Sequence, residues 1–366
     1  AKLFWSFLRL GTTAFGGPAM IAYIRKMAVA DKQWLDDASF RDGVALCQAI
    51  PGATAMQTAA YVGLSARGLL GAAASFVGFG LPAFIMMMVL SSLYVRGHAL
   101  PMVVSALAGL GAVVVAIVAN AAVAFGTKTL VNWQAPIIAL AAGTLFWFKT
   151  SPLAVILLAA FSGLVLFKAP RLPTGSTAAP RRLYSSRSFV GLLVLTGAAV
   201  TLLLIADSRL FKLATLMAKI DISAFGGGFA SVPLMFHEMV DVRHWLDGPT
   251  LLNGIALGQI TPGPIVITAT FIGYLLYGPF GGIIATIGVF LPSFLIVVGV
   301  APYYDRIRMS AHFHKVIEGI LCSFVGLLLS VTVRFAMNVS WDLKRILLAL
   351  GAFVALRLRV NILWVV

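Results

Sequence analysis

Sliding the sequence along itself gives a match at an offset of 210 residues, and this internal repeat constrains the fold more than any other feature. Phe15-Gly16-Gly17 falls on Phe225-Gly226-Gly227, and Thr58, Gly63, Gly68, Gly71, Leu81-Pro82 and Phe84 fall on Thr268, Gly273, Gly278, Gly281, Leu291-Pro292 and Phe294. With one residue inserted, Gln33-Trp34-Leu35-Asp36 meets His244-Trp245-Leu246-Asp247, and Gln48 and Pro51-Gly52 meet Gln259 and Pro262-Gly263. Agreement at Trp, Pro, Gln and Gly in one order marks a duplicated unit.

Both copies are written in apolar residues. The chain is 60% hydrophobic and 11% charged, whereas a soluble domain carries about 25% charged residues. Runs such as Gly97 to Phe125 and Phe189 to Ala206 reach the ~20 residues that cross a bilayer as helix. A β-barrel would alternate every second residue and is excluded. The reading is an all-α polytopic membrane protein.

In that setting Gln48-Ala-Ile-Pro-Gly-Ala53 and Gln259-Ile-Thr-Pro-Gly-Pro264 stand out. Proline removes a backbone N–H and glycine accepts unusual dihedrals, so each stretch is expected to break a membrane helix at mid-depth. Broken helices at matching positions of two halves point to a transporter binding site.

Residues 1–168 read as the first repeat, 169–210 as a basic linker plus one extra span, and 211–366 as the second repeat. The expected segments of the first copy are Leu3 to Ile24, an interfacial hairpin over Arg25 to Asp42, the broken segment Gly43 to Ser65, and Leu69 to Tyr94. Pro101 to Phe125 and two short spans within Ala135 to Phe167 complete it. Roughly six spans per copy plus the unmatched Phe189 to Ala206 give about thirteen, and the odd interval inverts the second copy. The second copy ends at Val366, inside its sixth span, so that span is expected to be truncated. The first apolar segment belongs to the repeat and is not read as a signal sequence.

There are 27 Lys and Arg against 12 Asp and Glu, a formal charge of +15. Basic loops anchor the cytoplasmic face, which places the linker with Lys168, Arg171, Arg181, Arg182 and Arg187 in the cytoplasm, and the N-terminus with it. Nucleic acid is not an expected partner; the lipid bilayer is. Cys47 and Cys322, far apart in apolar surroundings, read as packed free thiols.

The residues that could carry function lie at the breaks. Gly16 and Gly17, with Gly226 and Gly227, leave backbone N–H groups uncovered, and such groups at a helix start attract anions; close helix packing is the structural alternative. Gln48, Thr54, Gln259 and Thr261 flank Pro51-Gly52 and Pro262-Gly263-Pro264 and offer neutral donors to a polar substrate, or else satisfy backbone groups freed by proline. Arg9 and Lys219 align at the offset and give each copy one cation on its first span, facing a cavity or snorkelling. Asp221, without an acidic counterpart at Gly11, and Glu238 are candidate proton carriers or ion partners. His237-Glu-Met-Val-Asp241 lacks the second histidine of a zinc-hydrolase motif, and His312-x-His314 sits among basic loop residues. No catalytic triad, P-loop or dinucleotide fingerprint occurs, so neither an enzyme nor a cofactor nor a metal is expected.

Taken together, Ala14-Phe-Gly-Gly-Pro18, Trp34-Leu, Gln48-x-x-Pro-Gly52, Ala224-Phe-Gly-Gly-Gly228, Trp245-Leu and Leu257-Gly-Gln-x-Thr-Pro-Gly-Pro264 resemble the chromate ion transporter superfamily. The resemblance spans essentially the whole chain. It implies a two-domain, multi-pass inner-membrane protein of about thirteen spans with inverted halves. It also implies export of chromate and hence chromate resistance. One departure is Ala53, where the second copy has Pro264 of the Pro-Gly-Pro pattern. Sulfate or another oxyanion is the alternative substrate, because a site of N–H dipoles and cations separates tetrahedral dianions poorly. A small-anion channel is the alternative mechanism, and homodimer formation is left open.

Overall fold

The computed structural model describes residues 1–15, 18–97, 100–168, 186–358, 360 and 365. Gly16, Gly17, linker residues 169–185 (with Arg171, Arg181 and Arg182) and the end at Val366 lie outside the described residues.

In chain order the helices are α1 (Lys2–Thr13), α2 (Pro18–Arg25), α3 (Asp37–Ala49), α4 (Thr54–Gly97), α5 (Pro101–Thr129), α6 (Gln134–Trp147), α7 (Pro152–Leu166) and α8 (Ser186–Ala206). They continue with α9 (Ser208–Ser223), α10 (Ser231–Phe236), α11 (Gly248–Ile260), α12 (Thr268–Val300), α13 (Tyr304–Arg308), α14 (Ala311–Met337) and α15 (Leu343–Arg357). Single π-helical turns follow α2 (Lys26–Asp31) and α10 (His237–Val242), and a 3-10 turn at Ile265–Ile267 leads into α12. Thr54–Gly97, Pro101–Thr129, Arg187–Ala206, Ile265–Tyr303 and Ala311–Met337 are long and apolar enough to cross a bilayer, and α6 and α7 are shorter apolar helices. The chain is an all-α polytopic membrane protein.

The figure of about thirteen spans counts each interrupted segment as a crossing. The segment over Gly43 to Ser65 is indeed broken at Pro51-Gly52, but it folds back instead of continuing. A Cβ on Gly43 of α3 would overlap the ring of Tyr61 of α4. On one continuous helix these residues would lie about 27 Å apart, at 1.5 Å per residue. Pro51 cannot extend the hydrogen-bond ladder of α3, and Gly52 turns the chain with φ +115°. A second reversal follows at Arg67 (φ −147°) and Gly68 (φ +65°), where a Cβ on Gly63 would overlap the Gly71 carbonyl. The long crossing part of α4 therefore begins only after Gly68. Similarly, Phe7 of α1 stacks with Trp34 at 6.1 Å between ring centroids, so the first expected segment also consists of two arms.

At the outer end of this hairpin Asp36 caps α3 by accepting from the Ser39 amide at 2.7 Å. Asp37 pairs with Arg41 and Arg25, whose hydrogen bonds hold its carboxyl below the usual carboxylate range.

The backbone repeats at the offset found in the sequence. Gly263 has φ +116° and Gly278 φ +64°, beside +115° at Gly52 and +65° at Gly68. A Cβ on Gly78 would meet the Phe4 carbonyl at 2.7 Å, and one on Gly288 the Ala214 carbonyl at 2.8 Å. Glycine lets helices approach this closely in a membrane, where packing replaces the hydrophobic drive.

The described residues form two compact units, and each draws on both copies. The first comprises Ala1–Arg96, Ala178–Gly228 and Thr261–Tyr304, hence α1 to α4, α8, α9 and α12. Within it α9 lies along α12. The second comprises Gly97–Thr177, Phe229–Ile260 and Asp305–Val366. There α14 packs against α5, α6 and α7, with Gly143 close to the Gly326 carbonyl, and α15 lies along α5. Ala135, Ile138, Ala159, Phe167 and Cys322 form part of its core. Cys47 and Cys322 are buried free thiols.

Candidate functional site

Four breaks were expected to line a site, and the first unit brings three of them together. The Gly52 amide of the first copy donates to the Ala224 carbonyl of the second at 2.8 Å. In return the Gly263 amide of the second copy donates to the Ala14 carbonyl of the first at 3.0 Å. Residue-for-residue reciprocity of this kind is the mark of an approximate two-fold relation. Each Pro-Gly turn is thereby pinned to the residue that opens the other copy's Gly-rich turn.

The remaining first-unit candidates follow from this exchange. Gly226 and Gly227 take φ +90° and +97°, and a Cβ on Gly227 would lie 3.1 Å from Thr54 Oγ1. A Cβ on Gly228 would lie 3.2 Å from Ile265 Cγ2, so the second Gly-rich turn touches both Pro-Gly turns. Pro51 is half-buried, and its carbonyl accepts from Gln57 Nε2 at 2.5 Å. Thr261, Pro262, Gly263 and Pro264 are buried. Helix α4 starts at Thr54 and the Ile265–Ile267 turn starts after Pro264, so two helix N-termini begin at these turns. Gly16 and Gly17 lie outside the described residues, while Ala14 and Phe15 lead up to them.

Arg9 and Lys219 are exposed. Each sits about 200° around its helix from the buried residues two positions away, Phe7 and Gly11 on α1, Met217 and Asp221 on α9. Gln48 is exposed on α3, whereas Gln259 on α11, in the second unit, is buried with Nε2 lacking a partner among the described residues. Glu238, also in the second unit, is buried and pairs with Arg243 at 3.4 Å. Asp221 is fully buried and bonds to Ser293, not to Lys219.

The sequence pattern of a family described as chromate transporter matches residues 1–164 and 211–366. The chain belongs to the chromate transporter family. It is 43% identical to an uncharacterised transporter of Methanocaldococcus jannaschii, over 100% of this chain and 91% of that protein. It is 32% identical to a chromate transport protein of Cupriavidus metallidurans, covering 95% and 86% of the two chains. A chromate transport protein of Pseudomonas aeruginosa is 30% identical, covering 97% and 85%. No solved structure matches significantly.

In this member of the chromate transporter family, sequence reasoning missed Ser293 and Gln57. Ser293 Oγ accepts from the Ala53 amide at 3.1 Å, and Gln57 is fully buried beside it. Their signal was present as departures from the repeat: Ser293 falls opposite Ala83, and Gln57 opposite Ile267. Sequence reasoning also missed a cluster in the second unit, where Asp241 is held by Arg334, with Lys149 at 3.9 Å and His237 Nδ1 at 3.7 Å. Arg334 Nη2 further donates to the Phe146 and Trp147 carbonyls at the end of α6. Through it Arg334 of α14 is tied to Asp241 and to the end of α6.

Proposed function

We propose that the chain is a secondary transporter that exports chromate from the cytoplasm across the inner membrane and so confers chromate resistance. The observation that carries this reading is the reciprocal pinning of the two Pro-Gly turns to Ala224 and Ala14, in a chain of the chromate transporter family. An approximate two-fold axis lying in the membrane plane would make the two copies an inverted pair, and sites in such transporters lie where the copies meet.

The oxyanion binds at the turns of the first unit. Gly52, Gly226, Gly227 and Gly263 bring backbone close, Thr54 and Thr261 add hydroxyls, and the helix N-termini at Thr54 and Ile265 favour negative charge. Arg9 and Lys219 supply positive charge from the exposed faces of α1 and α9. Gln48, on the helix that leads into the first Pro-Gly turn, serves as a neutral donor for release. Two negative charges moving outward gain ~4.6 kcal/mol per 100 mV of inside-negative potential, which suffices for export and leaves proton exchange as an addition.

The test is chromate and sulfate flux in proteoliposomes holding the purified chain, with the potential clamped by potassium and valinomycin and the pH gradient set independently. Saturable chromate movement that follows the potential is expected, together with loss of transport in folded Arg9→Gln/Lys219→Gln protein. Immobility of both anions under every gradient overturns the reading, and an active double variant removes the two cations from it.

A further inference from the structure

Asp221 lies on the buried face of α9, and no cationic side chain among the described residues pairs with it. Among the described residues its oxygens accept from Ser293 alone, from the backbone amide at 2.7 Å and the hydroxyl at 2.9 Å. The Ser293 amide is available because Pro292 disturbs the helix ladder at that point. Ser293 Oγ in turn accepts from the Ala53 amide. Gln57, fully buried, gives Nε2 to the Pro51 carbonyl and leaves Oε1 without a partner among the described residues. A Cβ on Gly52 would overlap Ser293 Oγ and lie 2.9 Å from Gln57 Nε2, so the amide and the hydroxyl occupy one small space.

This cluster leaves Gln57 Oε1 as an unused acceptor among the described residues, and an ionised Asp221 would stand there without a counter-charge. A carboxylate buried without a counter-charge is strongly disfavoured, and intramembrane carboxylates are kept where an ion must be bound and released. Among the described residues no neighbouring element brings a buried charge; Arg67 and Arg96 of α4, which packs on α12 through Phe76, are exposed. Residues 50–64 and α12 contain no Asp, Glu, Lys, Arg or His, only the titratable Tyr61, Tyr274 and Tyr277. The basic residues of α1, α8 and α9 (Lys2, Arg9, Arg187, Arg209, Lys212 and Lys219) are all exposed.

We propose that Asp221, Ser293 and Gln57 form the site of the coupling ion, a small monovalent cation, linked through the Ala53 amide to the first Pro-Gly turn. The term coupling rests on the transport reading above; cation binding does not. The symmetry-related place holds Gly11, Ala83 and Ile267, which offer neither carboxylate, hydroxyl nor side-chain amide, and Pro264, which has no amide hydrogen, so the site is single.

Chromate flux is measured in proteoliposomes at clamped zero potential, under a pH gradient alone and then a sodium gradient alone, and compared with gradient-free chromate exchange. One gradient is expected to drive accumulation, and which one names the ion as proton or sodium. Asp221→Asn should cut that accumulation about tenfold while exchange continues at the wild-type rate. Accumulation undiminished in Asp221→Asn, or a wild type that exchanges chromate yet is indifferent to both gradients, overturns the proposal. Should Asp221→Asn fail to fold, proton and radioactive sodium uptake by the purified wild-type chain is read in its place. Uptake of about one cation per chain supports the site, and no uptake overturns it. If the wild type moves no chromate, the transport reading fails, and the uptake measurement alone decides the cation site.

Discussion

At Gly52 the backbone turns with φ +115° and at Gly263 with φ +116°, yet the residues that follow differ in what they offer. Ala53 gives its amide hydrogen to Ser293 Oγ, backed by Asp221; Pro264 has none to give, and Ala83 and Gly11 stand where Ser293 and Asp221 would answer it. The comparison separates two requirements. Turning a membrane hairpin needs a proline to end one helix and a glycine at positive φ, and both copies keep them. Holding charge at the turn needs side chains, and a duplicated chain needs these only once.

Substituting the two glycines gives the largest expected effect. Gly52→Ala and Gly263→Ala each force a side chain into a backbone region costing about 1–3 kcal/mol. Gly52→Ala also drives its Cβ into Ser293 Oγ, whereas the Gly263 Cβ meets only the Ala83 methyl at 2.8 Å. Both variants should lose thermal stability and chromate flux, Gly52→Ala more severely. Equal losses would mean that the Ser293 contact adds nothing to the first turn.

Exchanging the following residues tests the chemistry more directly. Ala53→Pro removes the donor to a buried hydroxyl and should cost about 1–3 kcal/mol. Pro264→Ala changes chiefly the unfolded chain and should cost about 0.4–1 kcal/mol. The two unfolding midpoints, measured in one detergent, give the order; a neutral Ala53→Pro would break the comparison.

The smallest expected difference between the copies concerns a feature that they share. Asp36 and Asp247 cap α3 and α11 through the amides of Ser39 and Thr250, at 2.7 and 2.8 Å. Asp36→Ala and Asp247→Ala should each cost about 1 kcal/mol, equally within error. A marked inequality in thermal unfolding would show that asymmetry extends beyond the turns.

The duplication, the helical membrane class and the positions of the breaks were legible in the sequence because each rests on local chemistry. Proline ends a helix, glycine permits a turn, and a long apolar run must satisfy its backbone internally. The candidate glycines of the second Gly-rich turn and both Pro-Gly turns were legible for the same reason. Gln57 and Ser293 were not, since one polar residue in an apolar helix shows its partner only when another segment is folded against it. Nor could sequence tell an interrupted helix from a folded-back one: Pro51-Gly52 is compatible with both, and only the Gly43 to Tyr61 contact decides.

The sequence by itself thus determined where the chain breaks, through the dihedrals and hydrogen-bond donors of single residues. Only the tertiary structure decided which breaks meet. The Gly52 amide reaches Ala224, and Asp221 reaches Ser293, because helices distant in sequence pack closely enough for backbone and side chain to touch. Such contacts are properties of packed surfaces, which no local stretch of residues encodes on its own.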